Sequence, residues 1–246
     1  MTNSKKKRKV IAVSAMLPKR DLNFYRNLKI KLFKQLEKEI KAYLEITTFI
    51  HIAIDKELRK TKIIEPNQQI NVLDLAKSHV LIDRSALIES VNLLDASINH
   101  ALHDFQLYKL NKEREKIIKY SQVEKGLNEC LKNILLSKKF ENKHTLIKHF
   151  RVLRNQFSHM TMGVFYISAE QENFESFLKK LEGIEINDSW WILINGKAGV
   201  AIPFEITSSK FLEKFLEESL LFFAMLLELF FSEEDKKTKK PFWGTE

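Results

Sequence analysis

Between Asp21 and Leu58 apolar side chains return at a spacing that one regular structure satisfies. Phe24, Leu28, Leu32, Leu36, Ile40 and Leu44 recur every four residues, and the face continues through Ile46, Ile50 and Ile54 towards Leu58. Residues three and four apart share one side of a 3.6-residue helix. The run therefore predicts an amphipathic helix of roughly ten turns with Lys and Glu on its other side. Asp21 suits the N-cap, and Glu65-Pro66-Asn67 ends the pattern.

The same period returns downstream. A loop over 66–75 leads to a second long helix at about 74–108, with Leu87, Val91, Leu94, Ile98, Leu102 and Phe105 on one face. After a polar stretch over 109–119, Val123, Leu127, Leu131 and Leu135 predict a third helix at about 121–136. Glu141-Asn142-Lys143 reads as a turn. A fourth helix then starts near Asn142, carries Leu146, Phe150, Leu153 and Phe157, and ends before Gly163.

The period then changes. Val164-Phe165-Tyr166-Ile167 is strand-like, and 173–182 reads as a short helix stopped by Gly183. The runs 190–194 and 200–206 flank Asn195-Gly196-Lys197-Ala198-Gly199, a hairpin signal. Residues 208–232 form a strongly apolar helix, capped by Thr207 or Ser208, which must return to the bundle or meet another subunit. The fold expected is mainly α, about five main helices with a small β insertion at about 163–206 before the last. It comprises one domain over 21–232, a basic arm over 1–20 and a charged tail over 233–246. Six glycines and four prolines in 246 residues oppose a turn-rich all-β fold.

Composition narrows the setting. The net charge of +9 favours a polyanionic partner. Cys130 stands alone, which excludes an intramolecular disulfide and a cysteine zinc cage and suits a reducing cytoplasm. The most apolar run, Ser219 to Leu227, is far short of the roughly 20 residues of a membrane span, so no membrane association is expected. KKKRKV at 5–10 resembles a nuclear-import signal, although in a Lys-rich chain such a cluster is more often a solvated tail. No phosphate-binding Gly loop, His-Glu-x-x-His or Gly-x-Ser-x-Gly is present. His100 and His103 share a helix with Asp104 but would need a further ligand to bind a metal. No metal or cofactor is expected. Trp190 and Trp191 could stack on a base, but neighbours on a strand face opposite ways, so at least one should pack inward.

One segment stands apart. Lys148 to Met160 contains Arg154-Asn155-Gln156-Phe157-Ser158-His159 at the end of an amphipathic helix. This resembles the signature of the HEPN family (higher eukaryotes and prokaryotes nucleotide-binding), in which an Arg, often followed by Asn, precedes a His by four to six residues. The likeness covers about 21–160 and the last helix, while the β insertion departs from a plain HEPN bundle and leaves the subfamily open. It implies a cytoplasmic, homodimeric, metal-independent endoribonuclease of a bacterial defence or toxin–antitoxin system, with RNA as substrate and an antitoxin or sensor protein as partner. The alternative it implies is a catalytically silent module that binds RNA, nucleotide or a partner protein.

The residue types suit a phosphodiester site. Arg offers a permanently charged fork for phosphate, and His can take a proton from a ribose 2′-hydroxyl and return one to the leaving oxygen. Arg154 and His159 are the catalytic candidates, with Asn155 to orient the His or the phosphate. Lys148, Arg151 and Ser158 are candidates for substrate binding. The resemblance also implies a polar or acidic residue from an earlier helix, for which Glu89, Asn92, Asp95 and Asn99 are the candidates. On a continuous helix, residues five apart differ by about 140° and 7.5 Å. Either the helix ends between Arg154 and His159, or two subunits share a site.

Overall fold

The computed structural model describes residues 21–61, 69–113, 116–117, 122–132, 134–159, 164–168, 173–194 and 196–231. The expected basic arm and charged tail lie outside them. Among the described residues the chain is mainly helical, with one small antiparallel sheet.

Helix α1 (Leu22–Thr61) and helix α2 (Gln69–Asp104) form a long antiparallel pair. Asp21 caps α1 as expected: its Oδ1 accepts the Phe24 N–H at 2.9 Å. Helix α2 begins five residues before the expected start. Its end is also different, because the last turn loosens into a π-helical segment, Phe105–Lys109, closed by Leu110 N–H donating to Phe105 C=O at 3.1 Å. Helix α3 (Val123–Leu131) is shorter than its apolar pattern suggested. Leu131 C=O accepts from Ile134 N–H in a turn at 2.9 Å, and Leu135, expected in the core, is 97% exposed.

Helix α4 (Lys138–His159) starts four residues early, so the predicted turn at 141–143 is helical. The cause is local: Ser137 Oγ accepts the Phe140 N–H at 3.2 Å, and Phe140 is buried. The sheet follows α4 in sequence and precedes helix α6 (Lys210–Phe231). The final helix returns to the bundle. It packs on α1, α2 and α4 through Phe211, Phe215, Phe222, Leu226 and Phe230, all buried. Tyr25 stacks on Phe231, Phe105 stacks on Phe230, and Lys29 pairs with Glu228 at 2.9 Å.

Strand β1 (Val164–Ser168) and helix α5 (Phe174–Leu178) precede strands β2 (Ile184–Ile186), β3 (Trp190–Ile194) and β4 (Lys197–Ile206). Strand β4 is central: β1 pairs along one margin, and β2 and β3 follow each other along the other. Ile186 pairs with Phe204 whereas Trp190 pairs with Ala201, so residues 187–189 insert one extra residue. Strands β2 and β3 are thus one strand interrupted by a bulge. The hairpin is tighter than the five-residue turn expected: Ile194 already pairs with Lys197, and Gly196 has φ +76°. Phe165, Ile167 and Ile202 face the helices and are buried. Trp190 and Trp191 do point to opposite faces, but neither packs inward: they are 50% and 76% exposed on a marginal strand.

The short helix expected over 173–182 ends already at Leu178, and the turn into β2 is made at Gly183. Its φ is +87°, its C=O accepts from Thr207 N–H at 2.9 Å, and a Cβ there would lie 2.4 Å from Ser208 O. Gly183→Ala should therefore cost about 2–3 kcal/mol through combined φ strain and a backbone clash. Urea denaturation against wild type is the measurement.

Candidate active site

Helix α4 buries Phe140, His144, Ile147, Phe150, Leu153 and Phe157, spaced three and four apart. This stripe fixes the helix's rotation. It sets Arg151 and Arg154 at the flank that meets α2, and leaves Asn155, Ser158 and His159 exposed.

The Arg154 guanidinium, whose side chain is 24% exposed, is held from α2. One η-nitrogen donates to Asn92 Oδ1 at 2.7 Å, and the other lies 3.6 Å from Asp95 Oδ2. Two of the four earlier-helix candidates are thus its partners. Glu89 is exposed on a shallow groove beside Tyr43 and Ile46, and Asn99 is half-buried away from Arg154's partners.

Arg151 is only 11% exposed and does not present its charge to solvent. Its Nε donates to Asp95 Oδ1 at 2.9 Å, and an η-nitrogen donates to Glu124 Oε2 at 2.8 Å. Its place is an internal bridge between α2 and α3, not the exposed phosphate contact expected. Lys148 Nζ also reaches Glu124, at 2.8 Å, and His144 Nε2 lies 3.4 Å from it. Three cationic or potentially cationic side chains of α4 therefore converge on one carboxylate of α3. Burial alone would raise the Glu124 carboxyl, but the contacts from His144 and Lys148 override it and hold its pKa at about 2.

That depression has a sign. A carboxylate held below its unfolded value stabilises the fold above that value, and the contribution disappears as the pH falls through the folded one. Glu124 should contribute about 1–2 kcal/mol at pH 7 once screening at its partly open position is counted, lost between about pH 4.5 and 2. Urea midpoints at pH 7 and pH 3 test this; Glu124→Gln should flatten the difference.

The end of α4 carries the rest. His159 and Asn155 are exposed and make no side-chain hydrogen bond among the described residues. Ser158 Oγ donates to Arg154 C=O at 2.9 Å, a local bond rather than a free hydroxyl. Helix α4 runs unbroken through both Arg154 and His159, so the first of the two routes to convergence fails: the helix does not end between them. The separation of about 140° stands within one chain.

Comparison with protein-family models, with curated proteins and with solved structures finds no match. The geometry of the site rests on its own contacts.

Three residues of this region escaped the sequence reading: Glu124, whose contacts are given above, Arg84 and Gln156. Arg84 of α2 donates to Phe157 C=O at 2.6 Å, satisfying a carbonyl of α4's last turn, and stacks over the Phe157 ring. Gln156, inside the motif, donates from Nε2 to Tyr166 C=O at 2.7 Å, and its Oε1 accepts the Tyr166 N–H at 3.2 Å. A lone Arg mid-helix and a lone Gln carry no pattern; only the tertiary fold gives them partners. Among the described residues no three His, Cys, Asp or Glu side chains converge as a metal cage, and no helix is long and apolar enough to cross a membrane.

Proposed function

We propose that this chain is a HEPN-like, metal-independent endoribonuclease that works as a homodimer. The observation that carries the reading is Arg154, anchored by Asn92 and Asp95 from another helix while His159 stands exposed and uncommitted one turn beyond. A guanidinium fixed before substrate arrives needs no reorganisation as charge develops on the phosphorus oxygens. An exposed imidazole is free to move protons.

The reaction proposed uses RNA's own nucleophile. The 2′-oxygen attacks the adjacent phosphorus as His159 takes its proton. The bond from phosphorus to the 5′-oxygen breaks, and the leaving oxygen takes a proton from an imidazolium. The products are a 2′,3′-cyclic phosphate and a 5′-hydroxyl, and DNA, lacking the 2′-hydroxyl, is spared. Asn155 orients the imidazole or the phosphate. Lys148, half-exposed beside Glu124, and Ser158 border the path of the backbone. Arg154 of one protomer and His159 of its partner complete a site across a two-fold axis. The setting that suits such an enzyme is a cytoplasmic defence or toxin–antitoxin pair with a neutralising or sensing protein.

A second reading, a silent module that binds RNA, nucleotide or protein, draws on the separation of Arg154 from His159 along α4. One experiment divides the two. Purified protein is incubated with labelled RNA in EDTA and the ends are mapped. Cleavage leaving cyclic-phosphate ends supports the enzyme. Retention of RNA without cleavage supports the module.

A further inference from the structure

Strand β3 pairs with β4 alone. The N–H and C=O groups of 190–194 that point away from β4 have no partner among the described residues. Edge strands of this kind are usually blunted by a charge or a proline. Trp190-Trp191-Ile192-Leu193-Ile194 contains neither. Trp191 and Leu193, two apart and therefore on one face, are each more than three-quarters exposed. The edge thus offers an open ladder and an apolar side-chain row together.

Its charge runs against that of the chain. The net charge is +9, yet 184–194 holds two carboxylates, Glu185 and Asp188, and no Lys or Arg. Glu185 stands directly opposite Glu205 across β2 and β4, and all three carboxylates are exposed. Like charges directly opposite destabilise a sheet. None of the three makes an ion pair among the described residues. The one basic position of β4, Lys197, lies at the other end, beside the hairpin. The entry to β3 is therefore an acidic place left without a cation. It repels a phosphate backbone, which argues against RNA bases as the cover of the tryptophans. A second copy would bring the same acid-only strand. An extended segment with alternating apolar and basic side chains meets every requirement of the edge.

We propose that β3 is the docking edge for an extended, basic segment of a partner protein. The segment adds as a further strand, and its backbone completes the ladder of 190–194. Its apolar side chains cover Trp191 and Leu193, and its Lys or Arg side chains meet Glu185 and Asp188. In strand addition the backbone bonds supply affinity and the alternate side chains supply choice of partner. This inference does not rest on the ribonuclease reading: β3 lies across β4 from β1, the strand that Gln156 joins to the end of α4.

The test is titration of the full chain with a synthetic peptide of alternating lysine and valine, followed by NMR and amide exchange. The expected result is saturable binding of one peptide per chain, with exchange slowed at 190–194 and the Trp191 indole signal shifted. A peptide of alternating glutamate and valine should bind at least about tenfold more weakly, because like charges across an interface are costly. Leu193→Lys, an exposed change that leaves the fold intact, should weaken the lysine peptide about tenfold by charging the edge. Absence of saturable binding, equal binding of the two peptides, or binding that Leu193→Lys leaves unchanged overturns the proposal. So does slowed exchange at 190–194 brought about by polyuridylate, or by raising the protein concentration with no peptide present.

Discussion

Arg151→Met should destabilise the protein by about 3 kcal/mol, the low end of the range for breaking a buried ion pair. The Arg151 guanidinium, carried by α4 and almost wholly buried, joins two further helices through two carboxylates, Asp95 of α2 and Glu124 of α3. Methionine keeps most of the aliphatic bulk, so the loss reports the charge. Asp95 would retain only the longer approach of Arg154 at 3.6 Å, whereas Glu124 keeps Lys148 and His144, which moderates the cost. Lys148→Met is the contrast: its side chain is 46% exposed, and the expected loss is below about 1 kcal/mol. Urea denaturation of both variants at pH 7 checks the pair. Equal losses would mean that Arg151 is no more than a surface cation.

His159→Ala should lower RNA cleavage by about 10²–10⁴-fold, the usual worth of a positioned acid or base. Its melting temperature should match wild type, because the ring is exposed and makes no hydrogen bond among the described residues. Arg154→Met should be comparably inactive but also less stable, since it leaves Asn92 without its donor. The shared-site arrangement makes a sharper demand. Mixing the two inactive chains should restore on the order of a quarter of wild-type cleavage, since half of randomly paired dimers are mixed and each keeps one complete Arg–His pair. No recovery from verified mixed dimers would mean that the two residues do not act across a two-fold axis.

The helices were legible because burial imposes a period and the period survives in the sequence. Phe24 to Leu44 and Phe150 to Phe157 were read as they stand, and Asp21 caps α1 as its chemistry requires. Boundaries failed where a single hydroxyl or a single turn decides them. Ser137 moved the start of α4 upstream, and Leu135 fell outside α3 although its spacing fits the core. Strand β2, three residues long, has no sequence signal of its own and exists because β4 runs past the hairpin to meet it.

The site divides in the same way. Arg154, Asn155 and His159 lie within one helical turn and a half, so spacing reveals them. Asn92, Asp95, Glu124 and Arg84 meet Arg154, Arg151 and Phe157 of α4 through packing, from residues 27 to 73 away in the chain.

Gln156 does for the sheet what a neighbouring strand would do. Its amide offers one donor and one acceptor to the backbone of Tyr166, as a peptide unit would, so β1 is finished at its midpoint by a side chain from α4. Strand β3 has no such cover among the described residues, and its Trp191 and Leu193 stand in solvent. The two margins of the sheet therefore differ: on one the backbone of Tyr166 is already paired by a side chain, and on the other, among the described residues, β3 presents an uncovered edge of the kind to which a further strand can add.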